Sequence, residues 1–353
     1  GTYFPKENWM NALNQLSDLY ANDREKALDY AEKLTQGVQQ SGLIALNEKP
    51  ADFSIEELEL SIENWKSNMD IKNGGRPGAP KFPMPVNIEF LLRYGAQSQD
   101  QDILDYVNTT LTQMAFGGIF DQVGGGFARY SVDDHWHIPH FEKMLYDNAQ
   151  LVSLYSLAFQ ATGNPLYKEI VEETTGFVER ELYDDKGGFY SSLDADSEDE
   201  AGELEEGAFY VWTKEELQSI LGEDFELFAK YYNVNGYGKW EKDLYHLIRS
   251  VSDETFAREN GLELKEMKQK VGSWKEKLLT EREKRSRPRL DDKILTSWNA
   301  LMLRGYAQAY AVFGEEHYLK MALKNAHFIQ RNMMQEDGGL FRNHKGGKSN
   351  LDA

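Results

Sequence analysis

The chain has 353 residues, 39 Lys and Arg against 59 Asp and Glu, a net charge of −20, and no cysteine. That charge opposes nucleic acid and anionic membrane surfaces as partners, and the missing thiols exclude disulfides, thiolate metal sites and cysteine nucleophiles within these residues. No stretch approaches the roughly 18 consecutive apolar residues of a membrane span, so the expectation is a soluble, cytoplasmic chain whose chemistry rests on carboxylates, His, Lys, Tyr or hydroxyls.

The chain opens at Gly1 without an initiator Met, which reads as a fragment of something longer. In "WMNALNQLSDLYANDREKALDYAEKLTQGVQQ", Met10, Leu13, Leu16, Leu19 and Tyr20, then Ala27, Tyr30, Ala31 and Leu34, fall at helical spacing. Ser54 stands three residues before Glu57, a capping box opening a further helix. Helical periodicity then predicts helices near 86–97, 101–115, 143–162, 165–182, 213–232, 293–313 and 315–334.

Gly pairs recur between these helices, in "GGRPGAPKFP", "GGIFDQVGGGFARY", "GGFYSSLDADS" and "GGLFRNHKGG", each followed by aromatic residues that could pin a loop. Paired helices with elaborated loops at one recurring end predict an all-α (α/α) barrel of helical hairpins; the alternative is an irregular helical bundle. Between about 240 and 292 the sequence is highly charged, with helical spacing near 262–283, and reads as an insertion. Its basic cluster Arg282, Lys284, Arg285, Arg287 and Arg289 either docks on the acidic loop near 200 or forms a solvated face.

Three of the seven histidines, His135, His137 and His140, fall within "HWHIPH", where Pro139 forbids a continuous helix. His140 then stands at a helix entrance, where the helix dipole favours neutral imidazole and general-base work. Glu142 and Tyr146 are spaced i, i+4, with Asp147 beside them, so an imidazole, carboxylates and a phenol could share one proton-transfer group. The competing reading makes Glu142 a cap and His140 a loop anchor.

From Asp194 to Glu206 there are eight acidic residues and no basic one. The spacing imitates an EF-hand, but Asp199 occupies the position that needs glycine. The preferred division sets Asp194 and Asp196 at a mouth beside Phe189, Tyr190, Tyr210 and Trp212 and leaves 198–206 as a solvated tip. Carboxylates among aromatic rings suit a sugar, whose C–H faces stack on rings, although such aromatics are commonly core. "RLDDKILTSWNALML" places Trp298 and Asn299 near another helix start. No phosphate loop, dinucleotide fingerprint or distinctive metal spacing is present, and "HIPH" lacks the Glu of a zincin helix, so no cofactor and no metal are expected.

Taken together, "GAPKFPMPVNIEFLLRY", "GGIFDQVGGGFARYSVDDHWHIPHFEKMLYDNAQL", "GGFYSSLDADSE", "EGAFYVWT" and "DDKILTSWNALML" resemble the thioredoxin-domain-containing family of spermatogenesis-associated protein 20 and its bacterial counterparts. The resemblance implies an incomplete (α/α)6 toroid, similar to N-acylglucosamine 2-epimerases and six-hairpin glycosidases, over residues 46–353. Residues 1–45 would be the end of a thioredoxin-like domain and a linker helix, with "GTYFP" as its last strand and its redox cysteines before Gly1.

Carried over by motif, Asp121, Gln122, Arg129, Tyr130, Asp133, Trp136, His140, Glu142, Lys143, Tyr146, Asp147, Asp194, Asp196, Trp298 and Asn299 would line the mouth, joined by Tyr190 and Trp212. Two functions follow. One is a carbohydrate-active enzyme, either an epimerase or isomerase with His140 as base, Glu142 or Asp147 orienting it and Arg129 stabilising an enediolate, or a glycoside hydrolase using Asp194 and Asp196. The other is a non-catalytic or redox-coupled module that binds a sugar or a protein client for the thioredoxin-like domain.

Overall fold

The computed structural model describes residues 5–41, 54–199, 201–241 and 243–352. They fall into two compact units, 1–63 and 64–353. In the first, α1 (Lys6–Asn22) packs against α2 (Arg24–Ser41). The single long periodic run is broken at Asp23, whose carboxylate accepts from the Lys26 N–H and so caps α2. Ser54 Oγ accepts from the Glu57 N–H at the head of α3 (Ile55–Lys66). The strand expected at "GTYFP" lies, Pro5 aside, outside the described residues.

The second unit is a wall of helical hairpins. α4 (Pro85–Ser98) pairs with α5 (Gln101–Phe116) and α6 (Leu145–Thr162) with α7 (Pro165–Glu181). Before the third pair the chain leaves the wall through four helices, α8 (Lys214–Leu221), α9 (Phe225–Tyr231), α10 (Asp253–Glu259) and α11 (Leu264–Arg282). It returns as α12 (Thr296–Phe313) and α13 (Glu316–Asn332), which pack together.

Helix α6 packs on α4 at one side and α12 at the other, and residues on every side of it are buried. The result is a row α4–α6–α12, each member backed by its own hairpin partner, which is the two-layer wall of an (α/α) barrel.

The strands are short and all pairings are antiparallel. β1 (Tyr130–Ser131) pairs with β2 (Pro139–His140), β3 (Lys143–Met144) with β4 (Ser192–Leu193), and β5 (Asp196–Glu198) with β6 (Leu204–Glu206). β7 (Trp212–Thr213) pairs with β8 (Leu244–Tyr245), and β9 (Leu290–Asp291) adds to β4. β10 (Ile294–Leu295), β11 (Phe341–Lys345) and β12 (Lys348–Asp352) form the last sheet. Residues 143–144 and 294–295, expected inside helices, are thus strands that deliver the chain to α6 and α12.

One device recurs. Asn148, in the first turn of α6, accepts from the Phe127 N–H at 2.7 Å and donates to the Phe127 carbonyl at 3.1 Å. Asn299, at the same position of α12, does the same to Phe189 at 2.8 and 3.0 Å. Each Phe follows a Gly pair, so the inner helices clamp the Gly-aromatic loops by replacing a strand partner with a side-chain amide. The loops therefore converge beside the N-termini of α6 and α12. In the first of them, Gly118 has no room for a side chain, since a Cβ would stand 1.9 Å from the His137 carbonyl.

The 240–292 segment shares a core with residues 212–234. Met267, Val271, Trp274 and Leu278 on α11 pack with Trp212, Leu217 and Phe228. The helix expected over 213–232 is interrupted at Gly222, whose φ of 56° ends α8. Of the basic cluster, Arg285 docks on the Val211 carbonyl and over the Trp212 ring, and Arg287 on Glu181.

Candidate active site

The β1–β2 pairing sets Tyr130 directly opposite His140, and the two rings stack at 4.9 Å. Phe82 lies against the other side of the group, 4.8 Å from Tyr130. His140 Nδ1 is 2.7 Å from Glu206 Oε1, and Nε2 is 3.8 Å from Glu142 Oε2. That same Glu142 oxygen accepts from Arg129 Nη1 at 3.0 Å, while the Arg129 N–H donates to the Glu142 carbonyl at 2.8 Å. Arg129 also engages the Tyr146 hydroxyl, and the Tyr146 ring packs on Trp298 at 4.8 Å.

Beneath them lies Asp147, buried, with Oδ2 unpartnered in the protein. Burial pushes its carboxyl up to about 7, with Arg129 and Tyr146 opposing and Glu142 adding to the rise. A carboxyl of that kind carries a proton over part of the neutral range, next to an arginine and a phenol. The group can therefore take up, hold and return a proton beside a cation able to stabilise an oxyanion.

Seven of the expected residues meet here: Arg129, Tyr130, His140, Glu142, Tyr146, Asp147 and Trp298. Asp196 lies alongside, because the β5–β6 register places it opposite Glu206 on one face of the hairpin. Asp194 is exposed just beyond β4, its carboxylate turned toward the Asp196 N–H at 3.4 Å.

The remaining expected residues do other work. Asp121 is an interior carboxylate bonded to Lys143 Nζ at 2.8 Å and Arg282 Nη1 at 2.9 Å, with the Val123 and Gly124 N–H groups as further donors. Burial alone would raise Asp121, but the two cations outweigh it and hold it far below the usual carboxylate range. Lys143 also donates to the Gly125 carbonyl and lies over the Phe177 and Tyr210 rings; burial lowers its ammonium to about 8, against the pull of Asp121. Gln122 donates to the Ala115 carbonyl at the C-terminal end of α5. With Phe141, Tyr210 and His246, Asp121, Gln122 and Lys143 line a narrow cavity of about 30 Å³, room for a water molecule or two.

Asp133 accepts from the N–H groups of His135, His137 and Ile138 and so holds its turn. With Asp134 and His135 it makes the one three-donor cluster among the described residues, but both of its oxygens already serve that turn. Trp136 is fully buried and donates to the Asn73 carbonyl at 2.8 Å. Trp212 and Asn299 are likewise buried, and Tyr190 packs beside Ile294 and Phe328. Of the other two clustered histidines, His135 is exposed, and His137 lies between the rings of Tyr237 and His246. Burial holds His246 neutral, down to about 3.

Two participants escaped the sequence reading. Phe82 was visible in "PKFP" only as an aromatic after a turn. Glu206 was assigned to the solvated tip, whereas the hairpin folds it back onto His140. The signal was present in "EDEAGELEE": Asp199 accepts from the N–H groups of Ala201 and Glu203, and Gly202 adopts a φ of 82°, a turn that returns residue 206 beside 196.

No family model matches the chain. Human spermatogenesis-associated protein 20 is 34% identical over 375 residues, 96% of this chain and 47% of that protein. The mouse protein of the same name is 34% identical over 378 residues, with 97% and 47% covered, and an uncharacterized Caenorhabditis elegans protein is 33% identical, with 97% and 50% covered. The chain spans about half the length of these curated relatives.

Among solved structures, a cellobiose 2-epimerase from Spirochaeta thermophila overlays with a TM-score of 0.35 at 16% identity, covering 82% of this chain and 86% of that one. A family 76 glycoside hydrolase (mannosidase) from Bacteroides thetaiotaomicron gives 0.38 at 12%, covering 70% and 44%. At such scores the overlays carry nothing about chemistry. The sequence matches carry more: over nearly its whole length this chain is similar to about half the length of the proteins named spermatogenesis-associated protein 20.

Proposed function

We propose that the His140 group is the active site of a sugar-acting barrel of the epimerase or isomerase class. The observation that carries this reading is the imidazole at the centre of the group, stacked on Tyr130 and set between Glu142 and Glu206. In an open-chain sugar, His140 removes the proton from the carbon next to the carbonyl. The C–H electrons pass to the carbonyl oxygen as an enediolate, which Arg129 stabilises, and the proton returns to the same or the adjacent carbon. Glu142 holds Arg129 in place. Phe82, Tyr130 and Trp298 offer ring faces to the sugar's C–H surface.

Glycoside hydrolysis through Asp194 and Asp196 is the rival enzyme reading. It has less support, because Asp196 sits on an exposed ladder and Asp194, exposed beyond β4, turns toward the chain's own backbone. The test is proton NMR in D2O of the wild-type chain and His140→Ala against aldoses, ketoses, N-acylated sugars and short glycosides. Deuterium appearing next to the carbonyl, and slowed about 100-fold or more in the variant, is the expected result. A new reducing end instead would transfer the site to the carboxylates. No change with any sugar would overturn the carbohydrate reading and leave a client-binding module attached to a thioredoxin-like domain.

A further inference from the structure

We propose that Glu206 is a positioning residue that fixes which nitrogen of His140 carries the hydrogen, leaving Nε2 as the base. The proposal rests on the reading of His140 as the proton-abstracting group. An ionised carboxylate only accepts, so the 2.7 Å contact from Nδ1 to Glu206 Oε1 places a hydrogen on Nδ1. In the neutral ring Nε2 then keeps its lone pair. It faces the side where Arg129 and Glu142 meet, 3.8 Å from the Glu142 carboxylate.

The two nitrogens thus have separate tasks, one to be held and one to react. When Nε2 takes the substrate's proton, the positive charge formed on the ring lies against Glu206, and it vanishes when the proton goes back. No oxidant or further reactant enters.

The local fold supports this assignment, because two features lock β6 to the histidine strand and two bonds anchor the base of its hairpin. Glu206 Oε1 also accepts from the Phe141 N–H at 3.3 Å, so one carboxylate oxygen grips two consecutive residues. Gly207 follows with a φ of 76°, and a Cβ there would stand 2.4 Å from the Phe141 ring, so the backbone passes directly against that side chain. The Gly207 N–H donates to the Ala195 carbonyl at 3.0 Å, and Ser197 Oγ accepts from the Phe209 N–H at 3.0 Å, which anchors the base of the hairpin. Tyr130 fixes the plane of the ring from its face. The acidic hairpin is in this way an arm that reaches 66 residues along the chain to set the chemistry of one side chain.

The measurement is the nitrogen-15 spectrum of the histidine-labelled full chain at a pH where the ring is neutral, with the His140 signals assigned from His140→Gln. In the wild type His140 should be predominantly the Nδ1–H form. Glu206→Ala should shift it toward the Nε2–H form that free histidine side chains favour. Glu206→Gln, whose amide oxygen still accepts, should keep the Nδ1–H form and guards against a folding defect in the alanine variant.

With an exchanging sugar, the alanine variant should lose about 100-fold in kcat with KM changed by less than about threefold, and the glutamine variant about tenfold in kcat. An Nε2–H ring in the wild type, or an alanine variant with an unchanged tautomer, overturns the proposal. If the tautomer shifts as expected while no sugar exchanges with the wild type, the pairing stands and the sugar assignment falls.

Discussion

Asp147 is the residue whose protonation the fold sets furthest from habit within the site. Its carboxyl, ordinarily near 3.8, is pushed up to about 7 by burial, against Arg129 and Tyr146. Between about pH 4 and pH 7 the folded chain therefore holds a proton that the unfolded chain releases. The associated stability is fully present below about pH 4 and lost as pH rises through about 7. Asp147→Asn keeps the shape and removes the titration. Urea unfolding should give equal stabilities at pH 4 and a variant more stable by about 2–4 kcal/mol at pH 8. Parallel pH profiles for the two proteins would refute the assignment.

At this same scale, most of the grouping that makes the candidate site was legible in the sequence. Arg129, His140, Glu142, Tyr146 and Asp147 lie within nineteen residues, so local spacing sufficed to group them. For Glu206 the turn at Asp199–Gly202 was a readable hairpin signal, but the register that sets Glu206 opposite Asp196 and beside His140 is disguised by a run of like charges. Trp136 and Trp212 carry aromatic rings like those of a mouth, but fully buried ones, and composition alone does not separate the two fates.

Among elements, the long hairpins were readable because each helix combines apolar periodicity with an end signal: Asp100 and Asn164 as N-caps, Gly163 and Gly314 as left-handed stops. The boundaries that failed depend on distant partners. Lys143–Met144 becomes a strand because Ser192–Leu193 and then Leu290–Asp291 pair beside it. What ties these elements together is the charge cluster beneath them, where Asp121 from the glycine loop meets Lys143 from β3 and Arg282 from the end of α11.

One carboxylate neutralises two buried cations, so its removal and theirs are unequal. Asp121→Asn leaves Lys143 and Arg282 without the carboxylate that both of them bond and should cost about 3–5 kcal/mol. Lys143→Met leaves the Asp121–Arg282 pair intact and fills similar space, losing the bond to the Gly125 carbonyl, so its cost should be smaller, about 1–2 kcal/mol. Chemical denaturation of both variants checks this, and equal losses would mean that packing, not charge balance, governs the junction.

For the molecule as a whole, charge is the property that the sequence reading and the structure share most directly. The chain carries −20 overall, and carboxylates gather at the candidate group: Glu142 is paired with Arg129, Glu206 lies on His140, and Asp196 stands across the ladder from Glu206. Among the described residues no helix is long and apolar enough to cross a membrane.

A carboxylate- or phosphate-bearing sugar approaching that mouth must climb a negative potential, whereas a neutral sugar does not. Neutral hexoses and N-acylated sugars should accordingly show higher kcat/KM, or tighter binding, than the matching uronates and sugar phosphates. The gap should narrow as ionic strength rises from about 0.01 M, where the screening length is about 30 Å, to 0.15 M, where it is about 8 Å. An added salt series separates this from a steric effect, because bulk alone would leave the gap unchanged. Preference for the anionic sugars, weakening with salt, would mean that Arg129 leaves Glu142 to receive them and that the acidic rim does not govern access.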